Sequence, residues 1–490
     1  MRDIIFTFFN YFVFFYTSML AIFFITFAFL SFISLKRRKD YYVESYMRKT
    51  IKESPYTPGI SVIAPAFNEE KTIIDNVNSM LALEYPLFEV VIVNDGSTDS
   101  TLKKMTEYYE LVEVPYAYIE RIKTRPFRRL LKSSNPKYSR LIVVDKENGG
   151  TKAVHPMRVS TLLLILILSA RMWIAFWKVC SLSLYLAHYI FRKQVIAVSG
   201  TMLMANGCVV KDGQIVDVRT PRTPISAFQN LEYMRSYLIG KMGWSAINGM
   251  PNVSGGFGLF DRSVAIAAGG YDAPSFAEDM DLITRMVGYM CDFSRPYKIV
   301  QIPDTCCWTE GPPNLAMLYR QRTRWARGLF QTLSIHHKMI FKKTYKQMGL
   351  LTLPYMFIFE FLAPIIELTG LIVFIYLAFT GAVNWNTAWM IYLTIYTFCQ
   401  FLSIVVITYD YYVGMLYKRG YEYLWIIIAS ILEPIFYHPI ITFCSLRGYL
   451  SYLTNRDFKW KNMERKGFKQ KEESADNTDT TPMKPEPATI

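Results

Sequence analysis

The chain has few of the residue patterns on which metal-binding and disulfide-stabilised proteins depend. Its five histidines are not spaced as metal ligands, and its seven cysteines show no paired spacing. Cys306 and Cys307 are adjacent, without the spacer that tetrahedral zinc ligation usually has. No Gly-x-x-x-x-Gly-Lys phosphate-binding loop occurs. These absences argue against a zinc domain, a disulfide framework and a P-loop, and they favour a cytosolic redox environment.

Apolar residues are concentrated at the two ends of the 490-residue chain. Residues 4–34 could form one membrane span, since a helix needs roughly 20 residues to cross. The basic residues 36–39 follow directly, so the positive-inside rule places the amino terminus outside and the middle of the chain in the cytosol. Three further apolar stretches cover residues 348–380, 387–412 and 423–443. The sequence therefore predicts a multi-pass protein of the cell membrane.

The net charge of +14 has two interpretations. A basic membrane protein carries such an excess at the cytoplasmic headgroup surface, and a phosphate-rich ligand would also attract it. The two interpretations of the net charge are compatible. Nucleic-acid binding is not expected, because no run of basic residues interleaved with aromatics occurs outside the membrane flanks.

Strand and helix patterns alternate in the middle of the chain. Residues 60–70 read as a buried strand that ends in a loop, residues 70–83 have helical spacing, and residues 88–93 and 141–145 read as further strands. This alternation predicts an α/β fold with a mostly parallel sheet and right-handed crossovers. Ligands of such sheets bind beyond the carboxyl ends of the strands, where the polar loops of this chain lie.

Five short motifs follow one another along residues 58–330. They are Pro65-x-x-Asn68-Glu69, Asn94-Asp95-Gly96-Ser97-x-Asp99, Asn148-Gly149-Gly150-x-Lys152-Ala153, Ala277-Glu278-Asp279 and Gln321-x-x-Arg324-Trp325. In this order they resemble the motif series of the family 2 inverting glycosyltransferases. The resemblance is closest to the processive, membrane-embedded group that includes the poly-N-acetylglucosamine, hyaluronan and cellulose synthases.

The resemblance implies a GT-A-like domain that binds a nucleotide sugar, together with α-helical transmembrane segments. Together with the apolar stretches, the resemblance divides the chain into an amino-terminal transmembrane helix (residues 1–35), a cytosolic glycosyltransferase domain (36–345), a carboxyl-terminal transmembrane region (346–450) and a basic cytosolic tail (451–490). The end of the tail is polar and contains prolines, so it is expected to be disordered.

The resemblance also implies which residues bind the nucleotide sugar. These are Pro65, Asn68, Glu69, Asp95 and Lys152. Polar groups at a strand edge can hydrogen-bond a uracil ring and a ribose, and a lysine can meet a diphosphate. The competing interpretation of the second motif is a turn whose side chains satisfy their own backbone.

Asp279, with Glu278 beside it, is the candidate catalytic group. A carboxylate there would act as general base and take the proton from the acceptor hydroxyl. One base suits inversion, since a retaining double displacement would also need a nucleophile. The alternative role is capping, because acidic residues are favourable in the first turn of a helix. The two roles are compatible.

The expected acceptor or product site consists of Gln321, Arg324, Trp325, Gly255 and Gly256. Arg324 can hold the leaving diphosphate, Trp325 offers a flat face to a sugar ring, and the glycines let the backbone approach the substrate. Further arginines crowd the segment around Arg324, so an amphipathic helix at the membrane interface is a competing interpretation.

One element of the motif series is missing. The family places an Asp-x-Asp pair, which binds Mg²⁺ or Mn²⁺ on the nucleotide diphosphate, between Lys152-Ala153 and the strand that contains Ser199. Residues 154–193 include no acidic residue. Residues 162–190 score instead as a membrane span, which would separate the two halves of the site. A divalent metal is therefore expected, but its ligands in this chain are unknown.

We hypothesise that residues 154–193 are translated out of frame. Codons can be chosen for residues 154–161 and 171–178 so that one and the same offset restores a family-like sequence and an Asp-x-Asp sequence. A true insertion and a divergent enzyme with other ligands are the alternatives, and sequencing the gene decides between them. The hypothesis predicts that this interval is helical or irregular and out of register with the strands around it.

The expected function is transfer of a sugar from a nucleoside diphosphate sugar, with uridine as the expected base, to a growing glycan. Single-sugar transfer to a lipid phosphate and an inactive remnant remain open. The expected partners are the nucleotide sugar, a glycan acceptor and the lipid bilayer. Positive-inside counting further predicts that the last apolar stretch, which contains Glu433-Pro434, is broken or re-entrant and returns the basic residues 447–469 to the cytosol.

Overall fold

A computed structural model describes most of the predicted domain and its apolar flanks. The described residues are 2–39, 55, 57–83, 85–115, 127–147, 164–168, 172–173, 194–211, 214–272, 275–414 and 416–454. Lys152 and the rest of its motif lie outside them, as do most of residues 154–193 and the tail from residue 455.

Two sheets are present in the described part of the chain. The strands are β1 (Ile60–Ala66), β2 (Phe88–Asp95), β3 (Leu111–Glu113), β4 (Phe127–Ser133), β5 (Leu141–Lys146), β6 (Leu164–Leu168), β7 (Met172–Trp173), β8 (Val195–Met204), β9 (Val209–Lys211), β10 (Gln214–Asp217), β11 (Phe257–Asp261) and β12 (Lys298–Thr309). Strands β9 and β10 pair with each other, and the other ten form one sheet in the order β3-β4-β5-β2-β1-β6-β11-β8-β12-β7.

Four neighbouring strands of the large sheet are parallel, as the alternating pattern predicts, whereas β11 runs antiparallel between β6 and β8. Strands β6, β1, β2 and β5 run parallel, as do β8 and β12, while antiparallel strands make the whole sheet mixed. Nearly every side chain of β1, β2 and β5 is buried, which explains their continuous apolar sequences. The loops that follow β1, β2 and β5 therefore meet at one edge of the sheet.

The helices pack around this sheet and extend from it. They are α1 (Arg2–Lys39), α2 (Ile73–Leu81), α3 (Thr101–Tyr109), α4 (Pro224–Arg235), α5 (Met242–Ala246), α6 (Arg262–Ala267), α7 (Glu278–Asp292), α8 (Leu315–Ile335), α9 (Leu353–Tyr355), α10 (Ala363–Phe379), α11 (Trp385–Val413) and α12 (Gly420–Leu453). A π-helical segment, Ser236–Lys241, joins α4 to α5. Asn314 begins α8, because its side chain accepts a hydrogen bond from the Met317 N–H.

Four helical segments among the described residues are long and apolar enough to cross a membrane. They are Tyr11–Lys36, Met348–Phe379, Trp385–Val413 and Gly420–Leu453. They coincide with the four apolar stretches of the sequence. The last is one continuous helix that includes Pro434 and Pro439, so the expectation of a broken or re-entrant element is wrong. Packing along one whole side of this helix compensates for the hydrogen bonds that the prolines remove.

The anomalous interval contains two strands of the main sheet, β6 and the two-residue β7, which pairs with β12. Residues Leu164–Leu168 form β6, which pairs with β1 on one side and with β11 on the other. The expectation that this interval is helical or irregular is therefore wrong for the residues of β6 and β7. An aliphatic run can occupy this position because strand pairing uses the backbone N–H and C=O groups, which these residues all supply.

Candidate active site

Asn68 connects the loops that follow β1 and β2. Its backbone has a left-handed φ of 52°, which asparagine tolerates better than most residues. The Asn68 side chain accepts a hydrogen bond from the Thr98 N–H at 2.8 Å and donates one to the Thr98 hydroxyl at 3.2 Å. The backbone N–H of the buried residue Glu69 donates to Thr101 Oγ1 at 2.7 Å. These bonds fix the shape of the sheet edge where a nucleotide would lie.

The polar residues at the ends of β2 and β5 pair with each other. Asp95 and Lys146 are neighbours in the sheet register, and their side chains form a buried ion pair of 2.8 Å. Asn94 donates to one oxygen of Asp145 at 2.8 Å, and Arg129 approaches the other at 3.0 Å. Charge in this part of the site is thus balanced by protein groups.

The described residues do not fit a divalent-metal site of the expected kind. Oxygen ligands for Mg²⁺ or Mn²⁺ would come from converging carboxylates. Asp95 instead faces an ammonium group, and both oxygens of Asp145 accept hydrogen bonds. Within the described ranges, no group of three or more His, Cys, Asp or Glu side chains is placed to hold a metal ion. The β6 strand thus forms without a carboxylate cluster beside Asp95, and the out-of-frame hypothesis stays a prediction.

Asp279 lies in the first turn of α7 with one carboxylate oxygen fixed. Its Oδ2 accepts hydrogen bonds from Asn252 Nδ2 at 3.1 Å and from the Gly255 N–H at 3.0 Å. Among the described residues, no protein donor bonds to its Oδ1. The side chain is only partly buried. One oxygen is thus fixed and the other remains available to accept a proton.

This geometry separates the two interpretations of the acidic pair. A capping side chain would accept from N–H groups of its own helix, but the bonds of Asp279 go to the segment before β11. The negative charges of Glu278 and Asp279 still interact favourably with the positive, amino-terminal end of the α7 helix dipole. The contacts of Asp279 therefore go beyond capping.

The glycine loop before β11 lies against Asp279. A Cβ atom at Gly255 would be 3.4 Å from Cγ of Asp279, which leaves little space for a side chain. Phe257, just after Gly256, pairs with Leu168 at the carboxyl end of β6, and β6 is parallel to β1. The sheet topology therefore puts Gly255, Gly256 and Asp279 at the same edge as the Asn68 and Asp95 loops.

Helix α8 packs directly on the segment that leads into α7. A Cβ atom at Gly328 would come within 2.6 Å of the Ala277 side chain, so only glycine allows this approach. The side chain of Gln331 accepts from the Phe276 N–H at 2.9 Å. Asp281 on α7 bonds to His336 just after α8, at 2.8 Å. These contacts fix the Gln-x-x-Arg-Trp helix relative to Asp279.

The motif residues of α8 take part in packing as well. Gln321 accepts a hydrogen bond from Gln229 of α4 at 2.8 Å. The guanidinium of Arg322 lies 4.4 Å from the centre of the Trp325 ring, so one face of that ring is already covered. Arg324 and Trp325 are partly buried. A sugar could stack only where Arg322 leaves the indole accessible.

The arginines around the motif do not form a simple membrane-facing stripe. Arg322 is buried and forms two hydrogen bonds to the Glu232 carboxylate, one of them at 2.6 Å. Arg327 is also buried and lies 4.0 Å from the centre of the Phe276 ring. Arg320 is exposed. Two of the three additional arginines thus contact the domain itself, which disfavours a purely interfacial helix.

Lys241, at the end of the π-helical segment, is buried near Asp279. Its ammonium lies 4.6 Å from the centre of the Tyr237 ring. Burial lowers the pKa of Lys241 to about 8, although the charge of Asp279 acts to raise it. Burial, with a smaller contribution from the charge of Asp279, raises the pKa of Tyr237. Lys241 therefore lies behind the acceptor side of the site.

Three residues that the structure brings into the site belong to none of the five motifs. Lys146 could have been found, because parallel pairing of β2 and β5 aligns Asn94-Asp95 with Asp145-Lys146. Asn252 is close in sequence to the glycine loop but belongs to no motif. Lys241 occurs in an apolar segment, and only the folded chain places it near Asp279.

Comparison with known families agrees with this arrangement. The family model described as Glycosyl transferase family 2 matches residues 61–129, and the model Glycosyl transferase family group 2 matches residues 212–408. The two matches lie on either side of the anomalous interval.

Curated relatives are similar over just over half of the chain. The poly-beta-1,6-N-acetyl-D-glucosamine synthase of Staphylococcus epidermidis is 22% identical over 285 residues, which is 57% of either chain. The probable glycosyltransferase YdaM of Bacillus subtilis is 27% identical over 289 residues, again 57% of either chain. The chain thus spans little more than half the length of these relatives.

A solved structure also overlaps with this chain. The mannosyltransferase PcManGT from Pyrobaculum calidifontis, in complex with GDP-Man and Mn²⁺, matches 88% of this chain and 100% of its own, with a TM-score of 0.48 and 15% identity.

Proposed function

Because the chain belongs to the family 2 glycosyltransferases, we propose that it transfers a sugar from a uridine diphosphate sugar to a growing glycan, with inversion at the anomeric carbon. N-acetylglucosamine is the first sugar to test, since a relative is named as a synthase of its β-1,6-linked polymer. The domain would act in the cytosol at the cell membrane.

The proposal depends on the geometry of Asp279. One oxygen is held by Asn252 and Gly255, and the other has no described protein donor. A carboxylate with one oxygen held in this way keeps its position before the reaction begins, which supports a role as general base.

The proposed chemical step uses the free oxygen of Asp279 as the base. As the acceptor oxygen attacks the anomeric carbon, its proton passes to the free oxygen of Asp279. The bond between that carbon and the diphosphate oxygen breaks, and the nucleoside diphosphate leaves with the electron pair. The attack comes from the face opposite the leaving group, so the configuration inverts. Arg324 would stabilise the departing negative charge.

Asn68, Glu69 and Asp95 remain the proposed nucleotide-side residues. The hydrogen bonds between the loops that bear them give these side chains a fixed position at the edge of the sheet. Pro65 lies at the end of β1 beside these loops. The Gln-x-x-Arg-Trp helix beside Asp279 favours polymerisation over a single transfer, because an acceptor site there adjoins the membrane segments.

An inactive remnant is the second candidate for the chain as written. The pairing of Asp95 with Lys146 and of Asp145 with Arg129 favours it, because these carboxylates are not arranged for the expected metal.

Turnover of labelled sugar nucleotides by the purified full-length chain tests the proposal. The chain is assayed with UDP-N-acetylglucosamine and UDP-glucose, with Mg²⁺, with Mn²⁺ and without added metal, and the products are sized. If gene sequencing reveals a compensated frame shift, the restored protein is assayed as well. A labelled product that lengthens with time supports polymer synthesis. A single sugar in the lipid fraction would support the lipid-phosphate alternative, and no product from either form would support the remnant.

A further inference from the structure

Helix α12 has the composition of a membrane span but not its packing. Its buried residues recur every three or four positions from Glu422 to Tyr437 and again from Cys444 to Ser451. They are Glu422, Ile426, Ala429, Ser430, Glu433, Tyr437, Cys444, Gly448, Tyr449 and Ser451. By contrast, α10 buries only Pro364. One full side of α12 is therefore covered by protein along its whole length.

The first half of α12 is bonded to the α4 region of the catalytic domain. Glu422 accepts from the Thr220 N–H at 2.9 Å and from Arg222 at 3.0 Å. Eleven residues later, Glu433 pairs with Arg235 at 2.8 Å. The eleven residues from Glu422 to Glu433 extend about 16 Å along α12. Their partners Arg222, just before α4, and Arg235, at the end of α4, are separated by a similar length of chain. The two helices therefore run side by side in the same direction.

The middle of α12 joins a buried polar cluster of the domain. The Tyr437 hydroxyl donates to Glu232 of α4 at 2.8 Å and accepts from Arg322 of α8 at 2.9 Å. The same Arg322 covers Trp325 of the Gln-x-x-Arg-Trp motif. This contact links α12 to the candidate acceptor site.

The second half of α12 lies directly on α8. A Cβ atom at Gly448 would be 2.6 Å from the carbonyl oxygen of Thr323 and 3.1 Å from the backbone N of Arg327. Backbones approach this closely only where a glycine allows it. Tyr449 then packs on Phe330, farther along α8. From Glu422 to Tyr449, α12 thus follows the surface of the catalytic domain.

The opposite side of α12 is exposed and apolar. Its exposed large hydrophobic side chains are Tyr421, Leu424, Trp425, Ile427, Ile428, Ile431, Leu432, Ile435, Phe436, Phe443, Leu450 and Leu453. Two other candidate spans flank it: Glu367 of α10 bonds to His438, and Gln400 of α11 donates to the Ser430 carbonyl at 2.8 Å. An exposed apolar surface of this length that continues into spanning helices matches the acyl-chain region of a membrane.

We propose that α12 is not a membrane span but a helix that lies in the plane of the membrane. Its polar side faces the catalytic domain, and its apolar side contacts the lipid leaflet on the domain's side. Glu422 and Glu433 then meet arginines of the domain instead of hydrocarbon, where an ionised carboxylate would be costly. The chain after residue 454, which is rich in Lys and Arg, stays on the same side as the domain, in agreement with the positive-inside rule.

Cysteine labelling of the full-length chain in intact cells tests the sidedness. Cysteine replaces Thr454 after α12, Ala382 between α10 and α11, or the exposed Lys103 of the domain. With an impermeant maleimide, we expect the Ala382→Cys protein to be labelled from outside, whereas Thr454→Cys and Lys103→Cys are labelled only after permeabilisation. The unmodified protein supplies the background from the native cysteines. Outside labelling of Thr454→Cys would overturn the proposal.

Spin-label depth measurements in liposomes provide a second test. The labels are placed at the exposed positions Leu424, Ile435 and Phe443 of α12. An in-plane helix puts all three at depths within a few ångströms of one another. A span would separate the first from the last by about 28 Å, so a depth gradient of that order contradicts the proposal. Neither test needs enzymatic activity, so its outcome is independent of the proposed function.

Discussion

The two sides of the candidate site satisfy their polar groups in different ways. On the nucleotide side, Asp95 pairs with Lys146, and Asp145 with Asn94 and Arg129. On the acceptor side, Asp279 has one oxygen held and the other without a described donor. The carboxylates on the nucleotide side are thus paired with neighbouring protein groups, whereas Asp279 on the acceptor side keeps one oxygen without a described protein donor.

This difference indicates where the chain departs from its family. The residues that would act on the acceptor are present and placed together, while the expected metal carboxylates are missing from residues 154–193. β6 shows that apolar residues can fill the strand position of that interval without supplying its chemistry. Folding and catalysis place different demands on the same segment.

The largest expected effect concerns the metal carboxylates. The chain as written should turn over less than about one thousandth of the sugar nucleotide that a frame-restored protein does, because the charge developing on the diphosphate lacks its usual stabilisation. Release of uridine diphosphate with and without Mn²⁺ measures this. Metal-dependent turnover by the unmodified chain would refute the out-of-frame hypothesis.

Breaking the ion pair on the nucleotide side should destabilise the domain. Lys146→Met removes the cation beside the buried Asp95, and breaking a buried pair costs about 3 kcal/mol or more. The midpoint of chemical unfolding in detergent reports the loss. The double variant Asp95→Asn/Lys146→Met should recover more than half of it, and Lys137→Met at an exposed site should change nothing. If the double variant does not recover this stability, the loss in Lys146→Met is not caused by breaking the ion pair.

Lys241 on the acceptor side should make stability depend on pH. Its pKa is about 8 in the folded protein and near 10.5 when unfolded, so between these values only the unfolded chain keeps the proton. The free energy of unfolding should therefore rise with pH above 8, by about 2 kcal/mol up to pH 9.5. Lys241→Met should remove this rise, and Lys103→Met at an exposed position should keep it. If the unfolding free energy of Lys241→Met rises with pH as steeply as that of the parent, the rise is not caused by Lys241.

The smallest expected effect on nucleotide binding comes from Trp325. Trp325→Ala should shorten the products while changing nucleotide affinity less than about threefold, because stacking serves the acceptor. Product sizing and equilibrium binding of uridine diphosphate separate the two effects. Trp389→Ala, on the exposed side of α11, is the matched control. An equal loss of nucleotide binding would indicate a structural role for α8.

The sequence predicted the elements whose physical cause is local. The apolar runs of β1, β2 and β5 and the four apolar helical segments occur where their patterns place them. Asp279 lies in the first turn of a helix, as the acidic cluster indicates. Such features depend on neighbours in the chain, and a single sequence contains them.

The remaining features depend on contacts between distant segments. Hydropathy could not show that Glu422 and Glu433 of α12 meet arginines of the α4 region. It also scored the β6 residues as membrane-spanning, because a strand inside a sheet and a membrane helix can have the same apolar composition. The cover that Arg322 gives to Trp325 likewise appears only when α8 is packed on the domain.

The most direct test of the central claim is to compare Asp279→Asn with Glu278→Gln in whichever form of the protein turns over. Rates of sugar transfer and affinities for uridine diphosphate are measured for both variants. We expect Asp279→Asn to lower transfer by two to about four orders of magnitude with nucleotide affinity nearly unchanged, because the proton acceptor is lost and the fold is kept. Glu278→Gln, which keeps Asp279, should lose much less. Transfer by Asp279→Asn within about tenfold of the parent would show that Asp279 only caps α7 and that the base lies elsewhere.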